Sequence, residues 1–564
     1  MASSSLDHLL YQLEESRNRF GRGESAHVVE LLSRLGKRRF SDTASLIRFH
    51  EALLFLRAFP QGPEVLRESE RLLRDFSKRV ERLQKAGADM DDFDPLEASG
   101  IAGTVMQDTL SFDVMRWLLD RVPDLEIVWD DYSEERAMAA VWPRLIPLLR
   151  EDGDVEANIP WRRWLQSAAG SEKRELQWMV RQFAQLPVSD TEKSLLYDSL
   201  RLPVRWRVGE RFSRTRNWRP AGRAFFHREP LITRGEVSLA TELAQASPVL
   251  HRLSAKHGEA IMNMIHEVML VRYRELYGTT LGDPRSVVQA DVGRGVSIYL
   301  WNLPPARRLP LRAYVAGFTL KNGVPINYVE AIGLCEWMEV GFNTFYTFRG
   351  GEVAWIFSQA LRCLVALTGA KCVSMYPYQL GDGNEEAIES GAFWFYRKLG
   401  FRPGRKDLLK LVEREEANIS RDPTYRTSAR TLRRLAAGHV FYELPGSEVG
   451  AWDSFSTRNI GMKVNQRMAR EFGGSSERVR ESSSKWLKRF LGVNTNSWGQ
   501  LECASFEDFA MVLSLAPGLA SWGWPEKQAL VQIIRSKSAA HEMRYLRLMQ
   551  KHRRLRHVLL KLGS

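Results

Sequence analysis

Apolar positions recur at helical spacing through roughly the first 200 residues. From Pro63 to Lys85, Val65, Leu66, Leu72, Leu73, Phe76, Val80 and Leu83 form one stripe. Pro63 and Glu64 stand where a first helical turn favours them, and Gly87 follows as a stop. A second such segment carries Val114, Trp117, Leu118 and Leu119 before Pro123. No fixed period marks a repeat array. Beyond about residue 230 the pattern changes. A helix with Met262, Ile265, Val268 and Tyr273 precedes strand-like runs at Val296–Trp301, Ala313–Leu320 and Ile326–Ile332. Asn322-Gly323 is a two-residue hairpin signal, and Pro325 beside it places the second strand's start at an edge or a bulge. The run 336–348 reads as a further strand. A loop then opens into a helix whose inward face is Val353, Ile356, Phe357, Ala360, Leu361 and Leu364, ended by Gly369. Cys372–Tyr378 reads as strand, Glu386–Leu399 as helix closed by Gly400, and His439–Leu444 as a last strand. The pattern predicts a multidomain, mostly α chain with a central α/β domain, its sheet mixed, largely antiparallel and flanked by helices. The expected divisions are a helical domain over 1–200, an Arg-rich linker over 201–230, the α/β domain over 231–445, and a helical basic region over 446–564.

Composition narrows the class. A chain of 564 residues, 44% hydrophobic and 26% charged, is globular and neither disordered nor collagen-like. Lys and Arg exceed Asp and Glu by 81 − 68 = +13, which suits nucleic acid, an anionic membrane surface or a polyanionic small molecule. The four cysteines form no C-x-x-C pair, and MASSSLDHLL lacks a basic-then-apolar leader pattern. No apolar run reaches the ~18 residues of a membrane span. The expectation is a cytoplasmic protein with reduced thiols. Eight arginines between Arg201 and Arg223 interleave with Trp206, Phe212 and Trp218. The final 24 residues hold seven Lys or Arg against one Glu. The first is read as a solvated linker packed on the next domain or as a nucleic-acid contact that no binding motif frames. The second is read as a capping helix with a solvated basic face or as a membrane-surface or nucleic-acid helix.

Several chemistries are excluded. The histidines show no H-E-x-x-H or H-x-H spacing, so no metal site is expected. The Asp89, Asp91, Asp92 and Asp94 cluster lacks the Gly and Glu of a calcium loop. SGIAGT at Ser99 lacks the Lys-Ser/Thr of a phosphate loop, and no G-x-S-x-G elbow occurs.

One segment points to an anion. FRGGEVA, Phe348 to Ala354, links a strand to a helix N-terminus, where free backbone N–H groups and the positive end of the helix dipole favour a pyrophosphate. Gly350 and Gly351 allow close approach, and Arg349 adds charge. SGAFWFYRKLGFRP, Ser390 to Pro403, follows after one more strand. Together these resemble the GNAT acyltransferase superfamily, over about residues 290–445. The turn sits where the family places its R/Q-x-x-G-x-G/A pattern, with Arg349 first and Ala354 in the last small position, and Ala392, Tyr396, Lys398, Gly400 and Phe401 match its late helix.

The resemblance implies transfer of an acetyl or related acyl group from acyl-CoA to an amine, a small molecule or a protein. Phe348, Arg349, Gly350, Gly351, Glu352, Val353 and Ala354 would hold the pyrophosphate, and Tyr396 would protonate the leaving thiolate. This sequence departs from the pattern at Glu352, where a carboxylate replaces the central glycine. Either Glu352 turns aside, or coenzyme A binding is altered. A base must take the amine's proton. Glu336 and Glu339 lie on opposite faces of the preceding strand because their separation is odd. Glu339, in step with Gly341 and Asn343, is the choice. Two alternatives stand beside this reading: a catalytically inactive GNAT-like domain that binds partners, and a nucleic-acid-associated protein.

Overall fold

The computed structural model describes residues 5–21, 23–146, 148, 161–220 and 222–564. The chain divides into two compact units. The first holds residues 1–220, 225–230 and 263–280; the second holds 221–224, 231–262 and 281–564.

The first unit is mainly helical. The helix Thr43–Ala58 buries most of its circumference, with His50 and Arg57 buried beside its apolar residues. The stripe from Pro63 to Lys85 forms two helices, Pro63–Arg74 and Phe76–Lys85, broken at Asp75 (φ −111°, ψ 25°). No Pro or Gly marks that break. Val65, Leu72 and Leu73 before it and Phe76, Val80 and Leu83 after it are all buried, so the kink keeps both apolar faces inward. Three strands, β1 (Val105–Thr109), β2 (Glu126–Ile127) and β3 (Pro203–Arg207), pair antiparallel in the order β1-β3-β2.

Part of the stretch 201–230, expected as a linker, is therefore the central strand of this sheet. Arg205 pairs with Glu126 (2.7 Å) and Arg207 with Glu81 (3.1 Å). Arg214 is buried, reaching the Glu97 carbonyl and the Glu51 carboxylate. Thr215 holds the stretch to the central helix, its carbonyl accepting from Arg57 (2.8 Å) and its hydroxyl bonding His50 (2.9 Å). The helix predicted around Met262 spans Ala255–Leu270, and Tyr273 lies beyond it at φ 49°.

The second unit is built on a nine-stranded sheet: β4 (His251–Arg252), β5 (Val288–Asp291), β6 (Val296–Asn302), β7 (Ala313–Lys321), β8 (Val324–Leu334), β9 (Trp337–Thr344), β10 (Cys372–Met375), β11 (Arg402–Pro403) and β12 (Val440–Glu443), in the order β11-β12-β10-β9-β8-β7-β6-β5-β4. Neighbours run antiparallel except β9 and β10, which are parallel and joined by the helix Val353–Thr368. The sheet is mixed and largely antiparallel. Every residue of β7 is buried, so helices or loops cover both faces there. Asn322 and Gly323 both take positive φ (49° and 79°), the geometry of a tight primed turn. Thr319 faces Asn327 while Leu320 faces Pro325, so Ile326 is the extra residue of a bulge. Pro325 thus sits at the bulge, and β8 is an interior strand.

The helix expected over Glu386–Leu399 is two, Glu385–Glu389 and Ala392–Lys398, parted at Gly391 (φ 66°). The region 446–564 is helical and packs into the same unit. Phe509, Leu546 and Leu559 share one core with Leu334, Trp337 and Phe441 of the sheet. Its basic side chains include Arg556, paired with Glu336 (2.6 Å), and Arg554, paired with Glu526 (2.7 Å). Among the described residues no helix is long and apolar enough to cross a membrane.

Candidate anion-binding turn and the β9–β10 opening

After β9 the chain makes a short 3-10 turn, Tyr346–Phe348, and enters the helix Val353–Thr368. Phe348 and Ala354 are buried and anchor the two ends, while Arg349 and Gly350 are exposed. No side chain caps this helix. The N–H groups of Val353, Ala354 and Trp355 have no carbonyl one turn back to accept them. Arg349 lies over the Tyr346 ring, 3.9 Å from its centroid, and pairs with Glu386.

Glu352 turns inward. It is fully buried, and its carboxylate meets Lys321 Nζ (3.3 Å), the Arg294 guanidinium and the backbone N–H of Ile232 (3.2 Å). Lys321 closes β7 just before the hairpin, and its Nζ also donates to the Arg294 carbonyl (2.5 Å). Burial pushes the Lys321 ammonium down to about 8, with Glu352 opposing. Arg294 reaches this position from a left-handed residue (φ 52°) in the β5–β6 turn. The carboxylate that would oppose an anion is thereby tied to two cations beneath the turn.

Pairing between β9 and β10 ends at Val340 and Met375, whereas β9 runs on to Thr344 against β8 alone. An opening follows in the sheet. Gln379 bridges part of it, its Oε1 accepting from Phe342 N–H (3.3 Å). Even-numbered β9 residues face the helix Val353–Thr368, where Phe342 meets Phe357 (5.1 Å). Tyr396 lies on that side, 4% exposed, its ring 5.6 Å from Phe357 and 5.8 Å from Phe401. Burial raises its phenol above the ordinary value, so it keeps its proton.

Glu339 is on the opposite face, opposite Ile332 on one side and Ser374 on the other. Its Oε2 is 2.9 Å from His439 Nε2 and its Oε1 3.3 Å from Arg312. Burial alone would raise this carboxyl; His439 and Arg312 outweigh it and hold Glu339 below the usual range. Tyr376 stands edge-on to His439 at 5.5 Å. Arg312 also borders an open cleft of about 420 Å³ lined by Leu311, Ile460, Val464 and Met511. Glu336 precedes β9, and its carboxylate accepts from Trp452 (2.9 Å) and Arg556.

The structure therefore joins the turn to Tyr396 through one helix and sets Glu339 across the sheet from both. His439, Arg312, Lys321 and Arg294 escaped the sequence reading. His439 immediately precedes the last strand, and Lys321 sits beside a turn, where a lysine ordinarily points to water. Among the described residues no three His, Cys, Asp or Glu side chains converge as a metal site. Comparison of the chain with protein-family models, curated proteins and solved structures finds no match.

Proposed function

We propose that the second unit transfers an acyl group from acyl-CoA to an amine. The inward position of Glu352 carries this reading. With that carboxylate neutralised by Lys321 and Arg294, the outer side of the turn presents Arg349, Gly350, Gly351 and an uncapped helix start, a constellation suited to a pyrophosphate. The parallel step between β9 and β10 and the opening beyond Val340 suit a thioester lying between parted strands. On one side Tyr396, kept protonated, would supply a proton to the thiolate. On the other, the Glu339–His439 pair would accept the amine's proton, with the cleft beside Arg312 as a place for the acceptor. Catalysis here would rest on positioning and charge more than on covalent chemistry.

The burial of Tyr396 favours a second reading, in which the domain binds coenzyme A or a partner without turnover. Calorimetric titration with acetyl-CoA and with free coenzyme A tests the first. Saturable binding is expected, weakened about tenfold in Arg349→Ala through loss of one charge-assisted contact. Binding of both ligands without thiol release on a panel of amines would support the second reading, and no binding at all would end the first.

A further inference from the structure

A cavity of about 90 Å³ lies wholly within the first unit, between β1, the helix Phe112–Leu119 and residues 266–280. A single water takes about 10–15 Å³ measured this way, so several waters or one small organic molecule fit. Its apolar wall includes Trp117, Leu110 and Met269. Its polar wall includes Asp108 and Glu275. Among the described lining residues Arg274 is the only cation, against Asp108, Asp113 and Glu275.

The polar wall favours a positive ligand. Asp108 accepts from the Thr109 N–H (2.8 Å), and Glu275 from the Ser111 N–H (3.2 Å) and hydroxyl, all neutral donors. Burial raises the Asp108 carboxyl. Partial desolvation, then the charges of Asp108 and Asp113, raise that of Glu275, a residue still exposed to solvent at the cavity's open side. His266 lines the same cavity and adds no positive charge, because burial lowers its imidazole. A carbonyl can only accept, so His266 Nε2, 2.8 Å from the Thr279 oxygen, carries the proton. Its Nδ1 is then a buried acceptor without a hydrogen-bond partner. Two carboxylates and an unfilled imidazole nitrogen call for donors and repel an anion. A metal is disfavoured, since no three such side chains converge among the described residues and much of the wall is carbon.

We propose that this cavity binds a small aliphatic primary ammonium ion, its nitrogen donating to Asp108 and Glu275 and its carbon chain lying against Trp117. This site is independent of the acyl-transfer reading of the second unit.

The test titrates the full-length chain with n-propylammonium chloride, followed by saturation-transfer NMR of the ligand, beside 1-propanol and magnesium chloride. Saturable binding of propylammonium is expected, with 1-propanol about tenfold weaker or worse, since only the cation makes charge-assisted bonds. Glu275→Gln keeps an acceptor for Ser111 but removes charge, and a loss of about tenfold is expected. Asp108→Asn, with the same expected loss, serves should Glu275→Gln lose its cooperative thermal transition. Equal binding of propanol, unchanged affinity in both folded variants, or no binding by the wild type would each overturn the proposal. So would displacement of propylammonium by magnesium at equal concentration, which would mark a metal site instead.

Discussion

Glu352 governs the charge of the turn, and its partners make it a structural keystone. Lys321 and Glu352 are both fully buried, and Glu352 also meets Arg294, so removing the carboxylate takes from both cations the opposite charge they face. Breaking such a pair from one side costs about 3–5 kcal/mol. Glu352→Ala is therefore expected to lower stability in urea unfolding by about 3 kcal/mol or more. The double replacement Lys321→Met with Glu352→Leu is expected to recover much of that loss. A pH signature follows from Lys321, whose ammonium lies near 8 when folded against an ordinary value of 10.5. Between those values the unfolded chain binds a proton that the folded chain does not, so stability rises with pH across that window. The burial penalty on the charged lysine is present in full below pH 8 and is relieved by about pH 10.5. Subtracting the stability curve of Lys321→Met from that of the wild type isolates this rise, which amounts to a few kcal/mol at most. A flat difference from pH 7 to 11 would show that Lys321 is not perturbed.

At the level of elements, backbone conformations supply breaks that side-chain periodicity hides. The stripe from Glu386 to Leu399 reads as one helix because its apolar spacing continues past Gly391. The chain instead turns there through φ 66°. A Cβ at Gly391 would meet nothing within 4 Å, so Gly391→Ala isolates the conformational cost alone. About 1–2 kcal/mol of destabilisation is expected in thermal or urea unfolding, from the left-handed backbone. An unchanged midpoint would mean that the two short helices merge without loss. The kink at Asp75 shows the opposite case, where neither Gly nor Pro announces the break. Much of the sheet was legible, by contrast. Strands β6 to β10 and β12 fall on the apolar runs, and the Asn322-Gly323 turn and the bulge at Pro325 are where turn chemistry places them. The turn itself was legible as a strand-to-helix junction with glycines. The direction of Glu352 was not, because it depends on Lys321 and Arg294, which are distant in sequence and brought near only by the sheet.

Across the whole molecule, the chain does not fill its two units in order. The first unit takes residues 263–280 from far along the chain. Ser99 Oγ donates to the Val271 carbonyl (3.0 Å), and a Cβ at Gly100 would come within 2.4 Å of Val271, so this insertion is tightly seated. Leu270 and Val271 belong to one buried cluster with Met106, Phe112 and Trp206. Trp117 Nε1 finds its acceptor on Asn263 (2.8 Å). Local periodicity cannot reveal such a visit, because the helix Ala255–Leu270 runs unbroken from one unit into the other. A division after residue 200, or after 230, therefore cuts the first unit away from part of its own core. A fragment of residues 1–230 is expected to keep helical circular dichroism yet lose a cooperative urea transition, since it leaves that apolar cluster open to water. Joining residues 263–280 to it through a flexible Gly/Ser linker is expected to restore the transition. If the 1–230 fragment unfolds as sharply as the linked one, the insertion is a passenger on the first unit and not a part of its core.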